Sequence, residues 1–134
     1  MGQQQLLLIV LGVILVGVAV VLGIQYFSVG AEEGAKDELV AHSITIGANA
    51  QQWFKKPVSM GGGGNTFTGN GGFLAQFTNN LIGLHTSTNG TYDVTGETAT
   101  VVTIEGTPLV ALGYDWLVTT TVTVDSIQTV VAVP

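Results

Sequence analysis

The stretch Leu6-Leu7-Leu8-Ile9-Val10-Leu11-Gly12-Val13-Ile14-Leu15-Val16-Gly17-Val18-Ala19-Val20-Val21-Leu22-Gly23-Ile24 decides the fold. It is 19 residues of aliphatic side chains and glycine, with no polar group at any turn. Coiled as an α-helix at ~1.5 Å per residue it spans roughly 28 Å, close to the hydrocarbon thickness of a bilayer. Its β-branched residues (Val10, Val13, Ile14, Val16, Val18, Val20 and Val21) lean towards strand. Length overrides that lean, and a helix also satisfies its own backbone groups in apolar surroundings. A helix apolar on every side needs lipid or protein around it, because it has no face to show to water.

The flanks of this run carry the next inference. Met1-Gly2-Gln3-Gln4-Gln5 supplies no charged side chain. A secretory signal begins with Lys or Arg and has a shorter apolar core, so that reading fits poorly. A membrane anchor without basic residues lacks the usual determinant of orientation. One resolution is that a basic leader has been cut away and the chain is mature. On the other side, Tyr26-Phe27 stands where an interfacial anchor sits. Beyond it, Ile24, Phe27, Ala31, Ala35, Leu39, His42 or Ser43, Ile46, Ala50 and Trp53 or Phe54 recur in steps of three and four, an amphipathic helical stripe. Acids come early in this part (Glu32, Glu33, Asp37, Glu38) and Lys55 and Lys56 come last, as the helix dipole favours. Pro57 stops the helix. The sequence thus predicts one helix over about residues 3–56, far longer than an ordinary globular helix.

Pro57 to Gly83 reads as a glycine-rich loop region. Gly61-Gly62-Gly63-Gly64-Asn65 and Gly69-Asn70-Gly71-Gly72 imply a chain passing close to other backbone. Phe73–Ile82 fits either a short helical turn or a first strand. Residues 84–134 read as an antiparallel β domain. The strand candidates are Thr91–Thr95, Thr98–Glu105, Leu109–Leu112, Trp116–Val124 and Ile127–Val133. Turns are expected at Asn89-Gly90 (a tight primed hairpin), Thr95-Gly96, Gly106-Thr107-Pro108, Gly113 and Asp125-Ser126. The fold class is therefore α+β, divided as a helix over 1–56, a loop region over 57–83 and a β domain over 84–134.

Charge is scarce. Of 134 residues only 9% are charged, three of them basic and nine acidic, for a net charge of −6. Residues 1–31 carry no charged side chain, and no Lys or Arg follows Lys56. Disordered chains are richer in charge and poorer in aliphatics. Three basic residues cannot neutralise many phosphates, so nucleic acid is not an expected partner. The absence of cysteine excludes disulfides, thiolate metal sites and cysteine nucleophiles.

No constellation of residues points to catalysis, and no cofactor is expected. Gly61–Gly64 lacks the following Lys-Ser/Thr of a phosphate loop. Ser28, Ser43, Ser59, Ser87 and Ser126 have neither a base nor an elbow context. His42 reads as a packing or surface residue. His85 beside Asp93 reads as a salt bridge or a weak metal site. Asn89-Gly90-Thr91 is a formal N-glycosylation sequon on the predicted hairpin tip, but it reads first as a turn chosen for its dihedrals. Trp53-Phe54 is expected to pack the helix onto the sheet.

Gly2-Gln3-Gln4-Gln5 running straight into Leu6–Ile24, the stripe continuing to Phe54, and a glycine-rich loop with a β domain behind it resemble a type IV pilin. Ala50–Pro57 and Gly61–Asn65 are also similar to bacterial pilin-like proteins. The resemblance covers residues 1–56 well and is architectural beyond them. It implies cleavage of a leader and methylation of the new amino terminus, at Met1 or Gln3. It implies insertion in the inner membrane, then packing of the apolar helix with its copies through Gln5, Leu6, Leu7, Leu8, Ile9, Leu11, Ile14, Leu15, Val18, Val21 and Leu22. Its implied partners are copies of itself and the pilus assembly machinery, and its product is an extracellular filament on the cell surface. The chain departs from the family at Gln5, where most type IV pilins carry a Glu that neutralises a neighbour's amino terminus. With a start at Gln3 the equivalent position is Leu7. The family also often has a proline within the run that lets the helix melt on assembly; here only glycines, Gly17 and Gly23 above all, stand in that place, so a local loss of helix is expected near Gly17–Gly23. The alternatives are a single-pass membrane protein displaying a small β binding domain and a pseudopilin of a secretion system. An enzyme is not expected.

Overall fold

The computed structural model describes residues 2–78 and 86–133. In chain order these form α1 (Gly2–Lys55), short 3-10 turns at Val58–Met60 and Gly69–Gly71, and α2 (Phe73–Thr78). Then follow β1 (Gly90–Glu97), β2 (Val101–Pro108), a 3-10 turn at Val110–Leu112, β3 (Leu117–Thr123) and β4 (Ile127–Ala132). The chain is α+β, with one long helix followed by a four-stranded antiparallel meander in the order β1-β2-β3-β4. It divides into two compact units, Met1–Gly34 and Ala35–Pro134. The division falls inside α1 rather than at its end, because the stripe from Ala35 onward is buried on the β unit.

In the first unit α1 runs through Gly12, Gly17 and Gly23 without interruption. The local loss of helix expected near Gly17–Gly23 is therefore not found. Each glycine costs up to ~1 kcal/mol against alanine, but unlike proline it keeps its N–H and the hydrogen-bond ladder continues.

In the second unit α1 buries Ala35, Leu39, Ser43, Ile46, Gly47, Ala50, Trp53 and Phe54, in steps of three and four apart from two adjacent pairs. Ile24, Phe27 and Ala31 of the expected stripe are exposed. The stripe meets Tyr92 and Val94 of β1, Val102 and Ile104 of β2 and Val118 and Val122 of β3 in one core. Helix and sheet approach closely where both carry small residues. A Cβ on Gly106 would stand 3.2 Å from Leu39 Cδ2, and one on Gly47 would stand 3.0 Å from Val122 Cγ2. Gly90 lies under the same leucine, with Leu39 Cδ2 2.7 Å from where its Cβ would be.

The glycine-rich loop closes the end of the helix. The last carbonyls of an α-helix have no partner within it. Here Gly63 N donates to Trp53 O at 2.8 Å, Gly64 N to Lys56 O at 2.9 Å and Asn65 N to Phe54 O at 2.7 Å. The indole Nε1 of Trp53 donates back to Gly61 O at 3.1 Å. A Cβ on Gly63 would come within 2.6 Å of the Trp53 ring, so the wrap needs glycine there. The ring partners of Trp53 and Phe54 are Phe73 and Phe67, at 5.7 and 4.8 Å between centroids. These two aromatics thus seat the loop region as much as the sheet.

Several turns differ from the sequence expectation. Phe73–Thr78 takes the helical one of its two expected forms, and the Glu97 carboxylate at the end of β1 accepts from Leu74 N at 2.6 Å. Gly96 is not a turn: β1 passes through it with a register shift between Val94 and Gly96, a bulge of the kind glycine accommodates. Gly106-Thr107-Pro108 belongs to β2, where the glycine leaves room for Leu39. Leu109–Leu112 is not a strand. Its 3-10 turn follows a last cross-strand bond from Leu109 N to Asn89 O at 2.9 Å, and Val110 is 95% exposed. Asn89-Gly90 lies in a turn closed by Ser87 N to Gly90 O at 2.8 Å and by a bridge between Thr86 and Thr91. Neither residue has a positive φ, so the turn is not of the primed type, and Gly90 serves the close approach of Leu39 instead.

Candidate functional site

The surface that needs explaining is the first unit. Leu6, Leu7, Leu8, Ile9, Leu11, Ile14, Leu15, Val18, Val21 and Leu22 are all exposed, between 47% and 69%. Gln5 and Gln3 beside them are exposed as well, and Met1 lies outside the described residues. Around the whole circumference, therefore, aliphatic groups face outward. The helix contains a window of mean hydropathy 3.2 of which none is buried, long and apolar enough to cross a membrane. Burying one such side chain contributes ~1.5–3 kcal/mol, so a run of this length in water is strongly disfavoured. Its chemistry is that of a surface to be covered, by acyl chains or by like helices. No charge interrupts it, and the first acids, Glu32 and Glu33, come a little more than two turns after Ile24.

The polar residues singled out in the second unit are tied into structure. His42 stacks on Tyr92 at 5.7 Å with 26° between the rings. The Tyr92 hydroxyl shares a 3.0 Å hydrogen bond with Ser87 Oγ. Burial raises the Tyr92 pKa above its ordinary value, the Ser87 bond opposes the rise, and the charge of Glu38 adds to it. Asn89 donates its side-chain nitrogen, the atom a glycan would occupy, to the Glu38 carboxylate. Lys36 lies 5.6 Å from the centre of the Trp116 ring, which stacks on Tyr114. His85 and its expected pairing with Asp93 fall outside the described residues. Among the described residues no group of three or more His, Asp or Glu is placed to hold a metal ion.

Two features have no clear signal in the sequence. Ser43 is fully buried between helix and sheet, and among the described residues its hydroxyl has no hydrogen-bond partner. In the helical stripe it was interchangeable with His42, and nothing in the sequence told which of the two faces inward. The other is the pair Asp93 and Glu105, directly opposite on β1 and β2 and pointing to the outer face. That depends on register, which no local pattern fixed.

The architecture, an apolar amino-terminal helix carried on into an antiparallel sheet domain, is pilin-like. No family model matches the chain, and no curated protein or solved structure gives a significant match.

Proposed function

We propose that this chain is a structural subunit that polymerises into an extracellular, type IV pilus-like filament. The observation that carries the reading is the complete exposure of Leu6–Ile24 at the head of a chain whose other unit has a closed core of its own. Before assembly the helix rests in the inner membrane. Handled by the pilus assembly machinery, it exchanges lipid for the same helix of other copies, packing through Gln5 and the aliphatic residues from Leu6 to Leu22. Gln5 can take a hydrogen bond from a neighbour's amino terminus but cannot neutralise it, so the core of this filament is held by apolar contact. The β unit coats the outside with threonine, asparagine and glycine.

Shearing cells that express the chain and imaging the supernatant tests this. Filaments that contain the chain are expected, and amino-terminal sequencing of their subunits should find a processed, methylated terminus at Met1 or Gln3. A chain found only in the membrane fraction, with no sheared filaments, overturns the reading. It would favour the second one, a single-pass membrane protein displaying a small β domain, which the fit of the run to ~30 Å of hydrocarbon also supports.

A further inference from the structure

The two edges of the sheet are unlike. An edge strand offers unpaired N–H and C=O groups to any other strand, and proteins guard such edges with charges, bulges, proline or a covering segment. The β1 edge is guarded in all but one of these ways. It carries Asp93 and Glu97, has a bulge before Gly96, is bridged at Thr91 by Thr86, and is tied to α2 through Glu97. The β4 edge has none of them. Ile127-Gln128-Thr129-Val130-Val131-Ala132 has no charge and no proline, and among the described residues no strand lies beyond it. Val130 and Val131 are 59% and 39% exposed.

The ladder says which groups are free. Thr123 N donates to Ser126 O at 2.9 Å, closing the turn that joins β3 to β4. From there Val122 faces Ile127, Thr120 faces Thr129 and Val118 faces Val131. The alternation of an antiparallel pair makes these the non-hydrogen-bonded positions, so the backbone groups of Ile127, Thr129 and Val131 point away from β3.

We infer that β4 pairs antiparallel with β4 of a second copy of this chain, across a twofold axis at Thr129. In that register Thr129 faces Thr129 of the second copy, and Ile127 faces its Val131, both ways round. All six outward backbone groups of each strand find partners, and apolar side chains meet on the helix side. On the outer face Gln128 meets Val130. The register is self-complementary, and the charge distribution admits a second copy here. A copy of a chain of net charge −6 is repelled wherever acids face each other, as at β1, and meets none along β4. The Ala35–Lys55 segments of the two copies then run in opposite directions. The contact is independent of the apolar helix and does not need filaments to exist.

The chain has no cysteine, so introduced thiols report alone. Gln128 and Val130 are exposed, and in the twofold register they form a non-hydrogen-bonded pair with Cβ atoms ~4.5–5.5 Å apart, close enough to be joined by a disulfide with little adjustment. Full-length Gln128→Cys and Val130→Cys chains, differently tagged, are mixed in detergent micelles and mildly oxidised. The mixed disulfide is expected several-fold above either chain alone. It should also exceed the product of Thr91→Cys with Val130→Cys, which reports chance collision or head-to-tail pairing with β1. Adding Val131→Pro removes an outward N–H without touching the bonds to β3, and is expected to abolish the product. Equal yields for all mixtures, a product dominated by Thr91→Cys, or no mixed disulfide overturns the inference. So does a full yield with Val131→Pro. If that variant fails to fold by tryptophan circular dichroism, the mixtures decide by themselves.

Discussion

Leu6–Ile24 and Ala35–Lys55 lie in one unbroken helix, yet they are specified in opposite ways. The first half is fixed by composition. Any rotation of it about its axis presents the same aliphatic surface, all of it exposed among the described residues. The second half is fixed by pattern. Ala35, Leu39, Ser43, Ile46 and Ala50 must face the sheet, and a rotation by one residue would bury Lys36 or Glu38 instead. The first half thus tolerates substitution among aliphatics and rejects charge. The second tolerates charge on its outer side and rejects a change of volume on its inner side. A single helix can serve both ends because a helix satisfies its backbone whatever surrounds it.

The comparison breaks first at Leu39. This side chain is fully buried, against glycines on two strands. Leu39→Ala is expected to cost ~2–5 kcal/mol of the β unit's stability, seen as a lower thermal midpoint of the full chain in micelles, with its membrane partition unchanged. Leu15→Lys should do the reverse. A lysine at the centre of the run costs ~2.5–3.5 kcal/mol on insertion, so the chain shifts from the membrane fraction to the soluble or aggregated one. The thermal midpoint of the β unit, followed through Trp53 and Trp116, should stay where it was. If either variant moves both readouts equally, the two halves are not independent.

The legibility of the fold follows the same division. The helix was readable to within about a residue at each end, because an apolar run, a stripe and Pro57 each leave a local signal. The four strands of the meander were found among the β-branched runs. What could not be read were the glycines of the β unit. Gly90, Gly96 and Gly106 look like turn formers, but two of them make room for Leu39 and the third sits at a bulge. A sequence carries the same letter for a turn and for a close approach. The candidate surface was legible, since exposure of a wholly apolar helix follows from its composition. The uneven edges of the sheet were not, since they depend on strand order and register.

A gentler probe lies at Ser43, where the inward stripe carries a hydroxyl. Folding removes this group from water and gives it no partner among the described residues, which costs ~1–3 kcal/mol. Ser43→Ala removes the cost and leaves only a gap the size of one oxygen. The β unit should gain on the order of 1 kcal/mol, measured as a rise in thermal midpoint. A fall would mean that the hydroxyl has a partner in solution, such as a bound water.

The smallest effect is a pH dependence confined to the second half. Tyr92 is buried against His42, and burial together with the charge of Glu38 raises its pKa above the ordinary ~10 despite the Ser87 hydrogen bond. The folded protein therefore holds the phenolic proton to higher pH than the unfolded chain does. Its contribution is fully present below the unfolded pKa and is lost as pH rises from there through the folded value. The thermal midpoint of the β unit should accordingly fall above about pH 10, and Tyr92→Phe should flatten that part of the curve. A difference titration of phenolate absorbance, wild type against Tyr92→Phe, should place the missing component above the ordinary tyrosine range. A component at or below that range would mean that water reaches the hydroxyl, and with it the seam between residues 38–42 and β1. The first half of the helix has no titrating side chain before Tyr26, so its membrane partition should not follow this curve. If partition and stability fall together above that pH, opening of the β unit also releases the apolar helix, and the division between the two halves is one of structure but not of energy.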